Sequence, residues 1–128
     1  MYYTRRKIVF RWLSILWGIT IISISSIPHL STPNIHIGFR LDHIAHFGMY
    51  FVLAVFIILW KTDKHGLFEK GQYAVFMLFG CLFAIADETH QIWIPGRTFA
   101  WQDMLSNILG FTGGMVGVSY IYKRYFVN

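Results

Sequence analysis

Residues 87 to 110 read DETHQIWIPGRTFAWQDMLSNILG, and this stretch governs how the rest of the chain is understood. Elsewhere the sequence is mostly apolar and aromatic, whereas here polar side chains gather: Asp87, Glu88, His90, Gln91, Arg97, Asp103 and Asn107. Burying a charged group without a partner costs several kcal/mol or more. These side chains therefore either satisfy one another as a network or bind something from outside.

The composition is that of a single membrane domain. Of the 128 residues, 55% are hydrophobic and only 13% are charged, whereas soluble domains average about 25% charged residues. The net charge of +5 does not indicate nucleic-acid binding, because the basic residues flank apolar runs instead of forming a stripe with interleaved aromatic residues. No repeat or long linker divides the chain, so residues 1–128 are predicted to form one domain.

Four apolar runs predict an all-α membrane bundle of four transmembrane helices, at about 8–27, 42–60, 72–94 and 103–122. At 1.5 Å per residue, about 20 residues cross a hydrocarbon core of roughly 30 Å. The first run resembles a signal peptide, but its length and two tryptophans favour a permanent anchor. Asp42 and Asp103 are predicted N-caps, and Pro95-Gly96 is predicted to end the third helix. The fourth run carries glycines that fit close helix packing: Gly110, Gly113, Gly114 and Gly117.

The basic residues set the predicted orientation. With both termini cytoplasmic, nine of the eleven basic residues lie inside and only Arg40 and Arg97 lie outside. A bias of this kind follows the positive-inside rule. Four of the acidic residues then fall at outer helix ends: Asp42, Asp87, Glu88 and Asp103. We therefore predict a multi-pass protein whose polar helix ends share the extracytoplasmic face.

Helices two, three and four each present one polar face at the outer end, counted at about 100° per residue. Ionisable groups at membrane depth usually face the bundle interior or a water-filled cavity. We therefore predict an outward-open polar pocket between these three helices. Its predicted binding residues are Asp42, His43, His46, Tyr50, Asp87, Glu88, His90, Gln91, Arg97, Asp103 and Asn107.

Three interpretations of this pocket stay open from the residues alone. In the first it is a structural network, since polar side chains between transmembrane helices act as packing contacts. In the second it binds an anion, with Arg97 offering a planar fork to phosphate or carboxylate. In the third it is catalytic, and the candidate acid/base residues are Glu88, His46 and Asp87.

Metal chemistry is a subordinate part of the catalytic interpretation. His43 and His46 are spaced i,i+3 and, together with Asp42, Glu88 and His90, supply enough ligand types for a zinc-like ion. The chain has no recognised zinc signature such as HExxH, and no nucleophile motif supports covalent catalysis. We therefore predict no metal ligands and no cofactor.

Three segments together resemble the VanZ-like family of small membrane proteins: DHIAHFGMY at 42–50, DETHQIWIPGR at 87–97 and DMLSNILG at 103–110. The combination DE-x-HQ, PGR and D-x3-N-x2-G is specific to that family. The resemblance implies a four-helix bacterial membrane protein of a family named after a component linked to low-level teicoplanin resistance. The family positions carried over are Asp42, His46, Tyr50, Asp87, Glu88, Gln91, Pro95, Gly96, Arg97, Asp103, Asn107 and Gly110.

From the residues and the resemblance together, we expect a binding module of the bacterial cytoplasmic (inner) membrane. Its outward pocket would engage an anionic lipid, a cell-wall precursor or a lipoglycopeptide and contribute to teicoplanin-type antibiotic resistance, with Arg97 holding the anion. One alternative is a small membrane enzyme acting on lipid-linked substrates by acid/base or metal-assisted chemistry. Another is a structural or accessory subunit. Membrane lipids are expected partners and nucleic acid is not.

Overall fold

The computed structural model describes residues 2–30, 41–62 and 70–126. These residues form four α-helices and no strand: α1 at Tyr2–Ser25, α2 at Leu41–Lys61, α3 at Lys70–Gln91 and α4 at Trp101–Phe126. Each helix contains a window long and apolar enough to cross a membrane. The predicted all-α architecture of four transmembrane helices is therefore confirmed. Two basic residues used to predict the orientation, Arg40 and Lys64, lie outside the described residues.

The first and last helices extend beyond their predicted boundaries. α1 begins at Tyr2 instead of residue 8, because the basic residues that precede the apolar run have long unbranched side chains with good helix propensity. α4 continues to Phe126 instead of residue 122. Lys123 and Arg124 stand in its last turn, where positive charge complements the negative end of the helix dipole. A change of polarity therefore does not end either helix.

The two predicted N-caps lie inside their helices. Because α2 begins at Leu41 and α4 at Trp101, Asp42 and Asp103 occupy the first helical turns and not the positions before them. Acidic side chains are still stabilising there, since the first turn is the positive end of the helix dipole.

The third helix ends at Gln91, three residues before the predicted boundary at 94. The next three backbone N–H groups, from Ile92 to Ile94, donate to carbonyls three residues back and not four, so the chain leaves the α-helix through a tighter turn. Ile94 to Arg97 then form a β-turn closed by the Arg97 N–H to the Ile94 carbonyl at 3.0 Å. Pro95 suits its second position and Gly96, with a φ of 74°, its third.

The helices pack around a core centred on α2 and α4. α2 packs against α1 and α4, α3 packs against α4 and more loosely against α1, and α2 and α3 stand diagonally opposite each other. The buried apolar side chains are Ile21, Tyr50, Leu53, Ala54, Ile57, Ile58, Ala84, Phe111 and Met115. This order leaves α2 and α3 facing each other across the middle of the bundle, so side chains of α2 can reach α3 directly.

Two glycines bring α4 unusually close to α2. A Cβ at Gly110 would overlap the backbone carbonyl of Phe47, and one at Gly114 would overlap Ala54 and the carbonyl of Phe51. Gly113 meets only the Phe47 ring at an ordinary contact distance, and Gly117 has no neighbour within 4 Å on that side. The glycine stripe therefore acts as a packing surface at two positions, Gly110 and Gly114, which hold α2 and α4 side by side in parallel.

Basic and aromatic side chains lie at the end of the bundle opposite Asp42. The Arg6 guanidinium donates to the backbone carbonyl of Thr62 at 2.6 Å, just after the end of α2, where positive charge complements the helix dipole. The Lys61 ammonium stands 4.2 Å from the centre of the Trp60 ring. α1 and α2 are therefore antiparallel, and the start of α1 lies at the far end from Asp42.

Candidate functional site

The polar ends of α2, α3 and α4 meet at one end of the bundle. Asp87, Glu88 and Asn107 are completely buried there, and Gln91 and His46 are 2% and 7% exposed. α2 and α4 both start at this end and run alongside each other, while α3 reaches it with its last turn. The structure thus gathers residues that are separated by up to 61 positions in the sequence.

The first group is centred on His46. Its Nδ1 lies 3.1 Å from the amide oxygen of Asn107 and 3.8 Å from Oε1 of Glu88. Its Nε2 lies 3.8 Å from Oδ2 of Asp103. An amide oxygen only accepts hydrogen bonds, so with the amide in this orientation Nδ1 is the donor, and in the neutral ring the lone pair is on Nε2. The unprotonated nitrogen of His46 is therefore the one facing Asp103.

The second group connects Glu88 to Arg97 through a single amide side chain. The Gln91 Nε2 donates to Oε1 of Glu88 at 3.0 Å. Its Oε1 accepts from Nε and Nη2 of Arg97 at 2.9 and 2.6 Å. Nη1 of Arg97 donates to the backbone carbonyl of Leu30 at 3.2 Å. Gln91 therefore separates the guanidinium from the buried carboxylate, and Arg97 fastens the turn after α3 to the segment after α1.

The third group is the pair formed by Tyr50 and Asp87. The Tyr50 hydroxyl donates to Oδ2 of Asp87 at 3.1 Å and lies 3.5 Å from the Phe83 carbonyl. Ser25, at the end of α1, is 2% exposed and lies beside the same carboxyl group. Asp87 therefore joins α2 to α3 beneath the other groups, and its neighbours differ from those of the adjacent Glu88.

The outer edge of the site is formed by His43 and Asp42. Nε2 of His43 lies 3.3 Å from Oδ1 of Asp103, and both side chains are half-buried. Oδ1 of Asp42 accepts the backbone N–H of His43 at 3.0 Å. His90 was predicted to share the polar face of α3, but it is half-buried and its Nδ1 has no hydrogen-bond partner among the described residues. His90 therefore stays apart from the His46 group.

Several buried polar atoms of the cluster have no hydrogen-bond partner among the described residues. They are Oδ1 of Asp87, Oε2 of Glu88, Nδ1 of His90, Oδ1 of Asp103 and Nδ2 of Asn107. A buried polar atom without a partner costs about 1–3 kcal/mol, and more when it is charged. A network that only packs the helices would satisfy its own members, so the open oxygens of Asp87 and Glu88 argue that water or a ligand completes the cluster.

A polar cavity of about 340 Å³ adjoins the cluster. Its walls come from all four helices and from the segment after α3: Ile24, Ser25, Leu30, Asp42, Ala45, His46, Met49, Gln91, Gly96, Arg97, Thr98, Ala100 and Asp103. The predicted pocket involved only helices two, three and four. The structure adds the end of α1, through Ser25 and the Leu30 carbonyl.

The contribution of α1 could have been only partly anticipated. Ser25 is a polar residue at the outer end of the first apolar run, at the same depth as the other polar helix ends, and that position was an available signal. Leu30 contributes its backbone carbonyl, which accepts from Arg97. Since every residue has such a carbonyl, no residue type announces it.

Within residues 2–30, 41–62 and 70–126, two sets of side chains could hold a metal ion. In each set, one ligand atom from every member lies within 4.8 Å of the others: His46, Glu88 and Asp103 in one, and Asp42, His43 and Asp103 in the other. The i,i+3 pair of histidines therefore divides between two sets that share Asp103. His90 belongs to neither of them.

A comparison with protein families identifies the chain. The family model described as VanZ/LLP1 matches residues 3–123. The chain belongs to the VanZ/LLP1 family. This match extends from the start of α1 almost to the end of α4, and it confirms the family that the three sequence segments resemble. No curated protein and no solved structure gives a significant match.

In this VanZ/LLP1 membrane protein the three family segments supply different parts of the site. The 42–50 segment gives the face of α2 that carries His46 and Tyr50. The 87–97 segment gives the end of α3 and the turn that presents Arg97. The 103–110 segment gives the face of α4 with Asp103 and Asn107, and it closes on the tight contact at Gly110. The three motifs, which are separate in the sequence, therefore come together in the folded chain.

Proposed function

We propose that this VanZ/LLP1 protein binds an amphiphile with an anionic headgroup, which occupies the polar cavity while its apolar tail lies in an adjacent groove. The observation that carries the proposal is the state of Arg97. Its three hydrogen bonds within the described part of the chain all go to neutral oxygens, two to the Gln91 amide and one to the Leu30 carbonyl. Its charge therefore remains available to a bound anion.

The geometry of the guanidinium fits this role. Arginine has five N–H donors, of which three are used here, and the remaining two are on the Nη atoms. Arg97 lines the cavity and is half-buried, so an anion there would be partly shielded from water. Charge-assisted hydrogen bonds to phosphate or carboxylate are shorter and stronger than those between neutral groups. A Cβ at Gly96 would overlap the His29 ring, so glycine lets His29 pack against the turn that presents Arg97.

The tail is accommodated by an apolar groove of about 580 Å³ between α1, α2 and α3. It is lined by Ser14, Ile15, Gly18, Ile19, Ile22, Ser23, Leu53, Ile57, Trp60, Phe76, Phe79 and Phe83. On α1 the groove lining ends at Ser23 and the cavity lining begins at Ile24. From Ser14 to Ser23 the helix rises about 14 Å, at 1.5 Å per residue. Cavity and groove therefore follow each other along the bundle, as the head and tail of an amphiphile do.

The proposed location is the bacterial cytoplasmic membrane, with both termini in the cytoplasm and the cavity facing outward. The distribution of basic residues supports this orientation through the positive-inside rule. A ligand in the outer leaflet would then reach the cavity laterally. Anionic lipids, lipid-linked cell-wall precursors and lipoglycopeptides such as teicoplanin share the required head-and-tail chemistry, and capture of such molecules is how we propose the protein contributes to teicoplanin-type resistance.

The site favours binding over acid/base catalysis. Oε1 of Glu88 lies 3.8 Å from the His46 ring nitrogen, beyond the 2.6–3.2 Å or so at which a proton passes directly. Glu88 and Asp87 do not line the cavity, so neither is in contact with a molecule held there. His46 is the one candidate catalytic residue that reaches the cavity wall. A ligand in the cavity would therefore contact Arg97 and other hydrogen-bonding groups, but of the candidate acid/base residues it would contact only His46.

Lipid titration followed by native mass spectrometry tests the proposal. Phosphatidylglycerol should bind the purified protein more tightly than phosphatidylcholine, and Arg97→Ala should weaken it about 10- to 100-fold, as expected for a charged hydrogen bond worth about 1.5–3 kcal/mol. Arg97→Lys should fall between the two, because it keeps the charge and loses the planar fork. A parallel titration with teicoplanin separates a lipid ligand from a lipoglycopeptide.

The control is Arg124→Gln, which removes one positive charge from the opposite end of the bundle and should leave both affinities unchanged. If Arg124→Gln weakens binding as much as Arg97→Ala, the attraction is one of overall charge and the site proposal is wrong. Equal affinity for the two phospholipids, together with no binding of teicoplanin, would also overturn it. Loss of folded protein in Arg97→Lys would instead assign Arg97 to the structural interpretation.

The orientation has its own test. Thr98 is exposed at the wall of the cavity, so a Thr98→Cys variant, with Cys81 replaced by serine, should react with a membrane-impermeant maleimide added to intact cells. Placing the cysteine at exposed Arg124 instead gives the matched control, which should react only after the cells are opened. The reverse pattern would place the cavity in the cytoplasm.

A further inference from the structure

The geometry points to a divalent metal site formed by His46, Glu88 and Asp103. One ligand atom from each residue lies within 4.8 Å of the other two, and Nε2 of His46 is 3.8 Å from Oδ2 of Asp103. Two ligand atoms bound to the same metal at about 2.0–2.2 Å are at most about 4.4 Å apart. Small side-chain rotations therefore bring the three groups to coordination distance.

His46 is already oriented as a metal ligand. Its Nδ1 proton is directed to the Asn107 amide oxygen at 3.1 Å, which leaves the Nε2 lone pair for the ion. A histidine that binds metal almost always donates its other ring N–H to an oxygen, because that hydrogen bond fixes the tautomer and the orientation of the ring. Asn107 is completely buried on α4, so its position is set by helix packing.

Glu88 supplies an independent observation, because Gln91 stands between its carboxylate and the guanidinium of Arg97. The side chain is completely buried, its Oε1 is taken by Gln91 at 3.0 Å, and its Oε2 has no hydrogen-bond partner among the described residues. Oδ1 of Asp103 faces His43 at 3.3 Å, and Oδ2 of Asp103 faces Nε2 of His46 at 3.8 Å. A buried carboxylate needs a partner or a cation, and Oε2 is the oxygen left for the ion.

The charges around the site agree with a divalent ion. Two carboxyl groups, Glu88 and Asp103, belong to this set, and the hydrogen bonds of Arg97 go to Gln91 and Leu30 and not to either of them. A divalent cation would balance the charges of these two carboxylates. The second set, with Asp42 and His43, shares Asp103 and is more exposed, so it competes for the same carboxylate and is the weaker of the two.

The ligand types select the class of metal. One imidazole nitrogen with two carboxylates suits a first-row ion such as Zn²⁺ or Mn²⁺, whereas Mg²⁺ and Ca²⁺ prefer oxygen ligands alone. This assignment departs from the sequence prediction of no metal ligands. The candidate set weighed from the sequence was His43 and His46 of the HxxH motif with Asp42, Glu88 and His90, and it lacked Asp103. The metal site does not depend on the proposed binding of an amphiphile, since no anionic ligand takes part in it.

Metal titration of the purified protein, freed of any histidine tag and of bound metal by chelation, tests the assignment. Zn²⁺ should bind in a ratio of one per chain and raise the thermal unfolding midpoint, and an equal concentration of Mg²⁺ should not. Loss of a residue that only hydrogen-bonds to a metal ligand typically weakens binding about 10- to 100-fold, and Asn107→Ala should fall near that range. Glu88→Gln and Asp103→Asn, which change the ligands themselves, should each weaken Zn²⁺ by at least as much.

The matched control is Asp87→Asn, which removes a neighbouring and equally buried carboxylate that pairs with Tyr50 instead. It should keep the one-to-one ratio. The assignment is wrong if the wild-type protein takes up no Zn²⁺, or if Asp87→Asn loses as much affinity as Glu88→Gln. It is also wrong if Asp103→Asn, which changes a half-buried residue in the first turn of α4, stays folded and binds Zn²⁺ as the wild type does.

Discussion

The contact of α2 with α4 and the contact of α1 with α3 are built in opposite ways. On the first, Gly110 and Gly114 let the two backbones approach until a methyl group would not fit between them. On the second, the rings of Phe79 and Phe83 face α1 across a groove of about 580 Å³. Gly18 lies on this side too, and a Cβ at Gly18 would stand at an ordinary contact distance of 3.9 Å from its nearest neighbour, the Phe83 ring.

The difference shows that the effect of a glycine on the packing of a transmembrane helix depends on what lies opposite it. Small residues allow close packing of membrane helices, but only when a backbone stands opposite, as Phe47 does for Gly110. Opposite Gly18 stands the end of an aromatic ring, and the same lack of a side chain leaves open space. The tight contact positions His46, Asp103 and Asn107, whereas the loose one leaves the groove that we assign to a ligand tail. Substitutions at the α2–α4 contact and at the α1–α3 contact should therefore differ in their effect on the free energy of unfolding.

The largest effect is expected from Gly110→Ala. The new methyl group would meet the backbone carbonyl of Phe47, which cannot rotate away as a side chain would, so α2 and α4 must separate. Overpacking of this kind costs typically about 1–3 kcal/mol, occasionally more, and here it also draws Asn107 away from His46. Reversible unfolding in detergent measures the cost.

Gly117→Ala provides the control on the same helix and the same stripe. It has no neighbour within 4 Å, so it should be neutral or stabilise by up to about 1 kcal/mol through better helix propensity. Equal destabilisation by the two substitutions would mean that flexibility of the helix, and not the contact with Phe47, explains the glycine at 110.

The next largest effect is expected from Tyr50→Phe, which tests whether α2 holds α3 by a polar contact. The change leaves Oδ2 of buried Asp87 without its donor, and an unsatisfied buried acceptor costs about 1–3 kcal/mol. Tyr120→Phe, at a position 64% exposed on α4, removes a hydroxyl with no such partner and should change stability by less than about 0.5 kcal/mol. Adding Asp87→Leu to Tyr50→Phe should recover part of the loss; a further loss of the same size would show that the pair does not interact.

The four helices could be predicted from the sequence, because a long apolar run has few alternatives to a transmembrane helix. Length fixes a transmembrane helix, and the Pro95-Gly96 pair fixes a turn. The exact ends depended on weaker effects. Nothing before the structure showed that the helix would accept Arg5 to Lys7 at its start, or that the last turn of α3 would tighten ahead of Pro95 and end at Gln91.

The site was predictable as a set of helix faces but not as a set of pairs. Helical periodicity places His43 and His46 on one side of α2, yet whether either meets Asp103 or Glu88 depends on the distance and rotation between helices. That distance was set by Gly110 against Phe47, a contact between positions 63 residues apart. For the same reason His90 looked equivalent to Gln91 in the sequence, although only Gln91 reaches Arg97.

A smaller effect is expected from Trp17→Phe, which tests how α1 is attached to α2. The Trp17 indole donates to the backbone carbonyl of Met49 on α2 at 2.8 Å. A net loss of about 0.5–1.5 kcal/mol is expected for one hydrogen bond, because the carbonyl also belongs to the α2 helix and is not left bare. Trp12→Phe, at a residue 55% exposed, should be near neutral. If the two tryptophan changes were equal, the bond to Met49 would not be what holds α1.

The smallest effect on stability is expected from Gly18→Leu, the counterpart of the change at Gly110. The new side chain extends into the groove between α1 and α3, where no backbone opposes it, so the free energy of unfolding should change by less than about 0.5 kcal/mol. Because the leucine would occupy the space proposed for the tail, binding of phosphatidylglycerol in native mass spectra should weaken, while Gly117→Leu on α4, away from the groove, should leave it unchanged. A strongly destabilised Gly18→Leu would show that α1 and α3 close on each other in the folded protein. A stable Gly18→Leu with undiminished lipid binding would separate the groove from the cavity and leave the headgroup contact at Arg97 to hold the ligand alone.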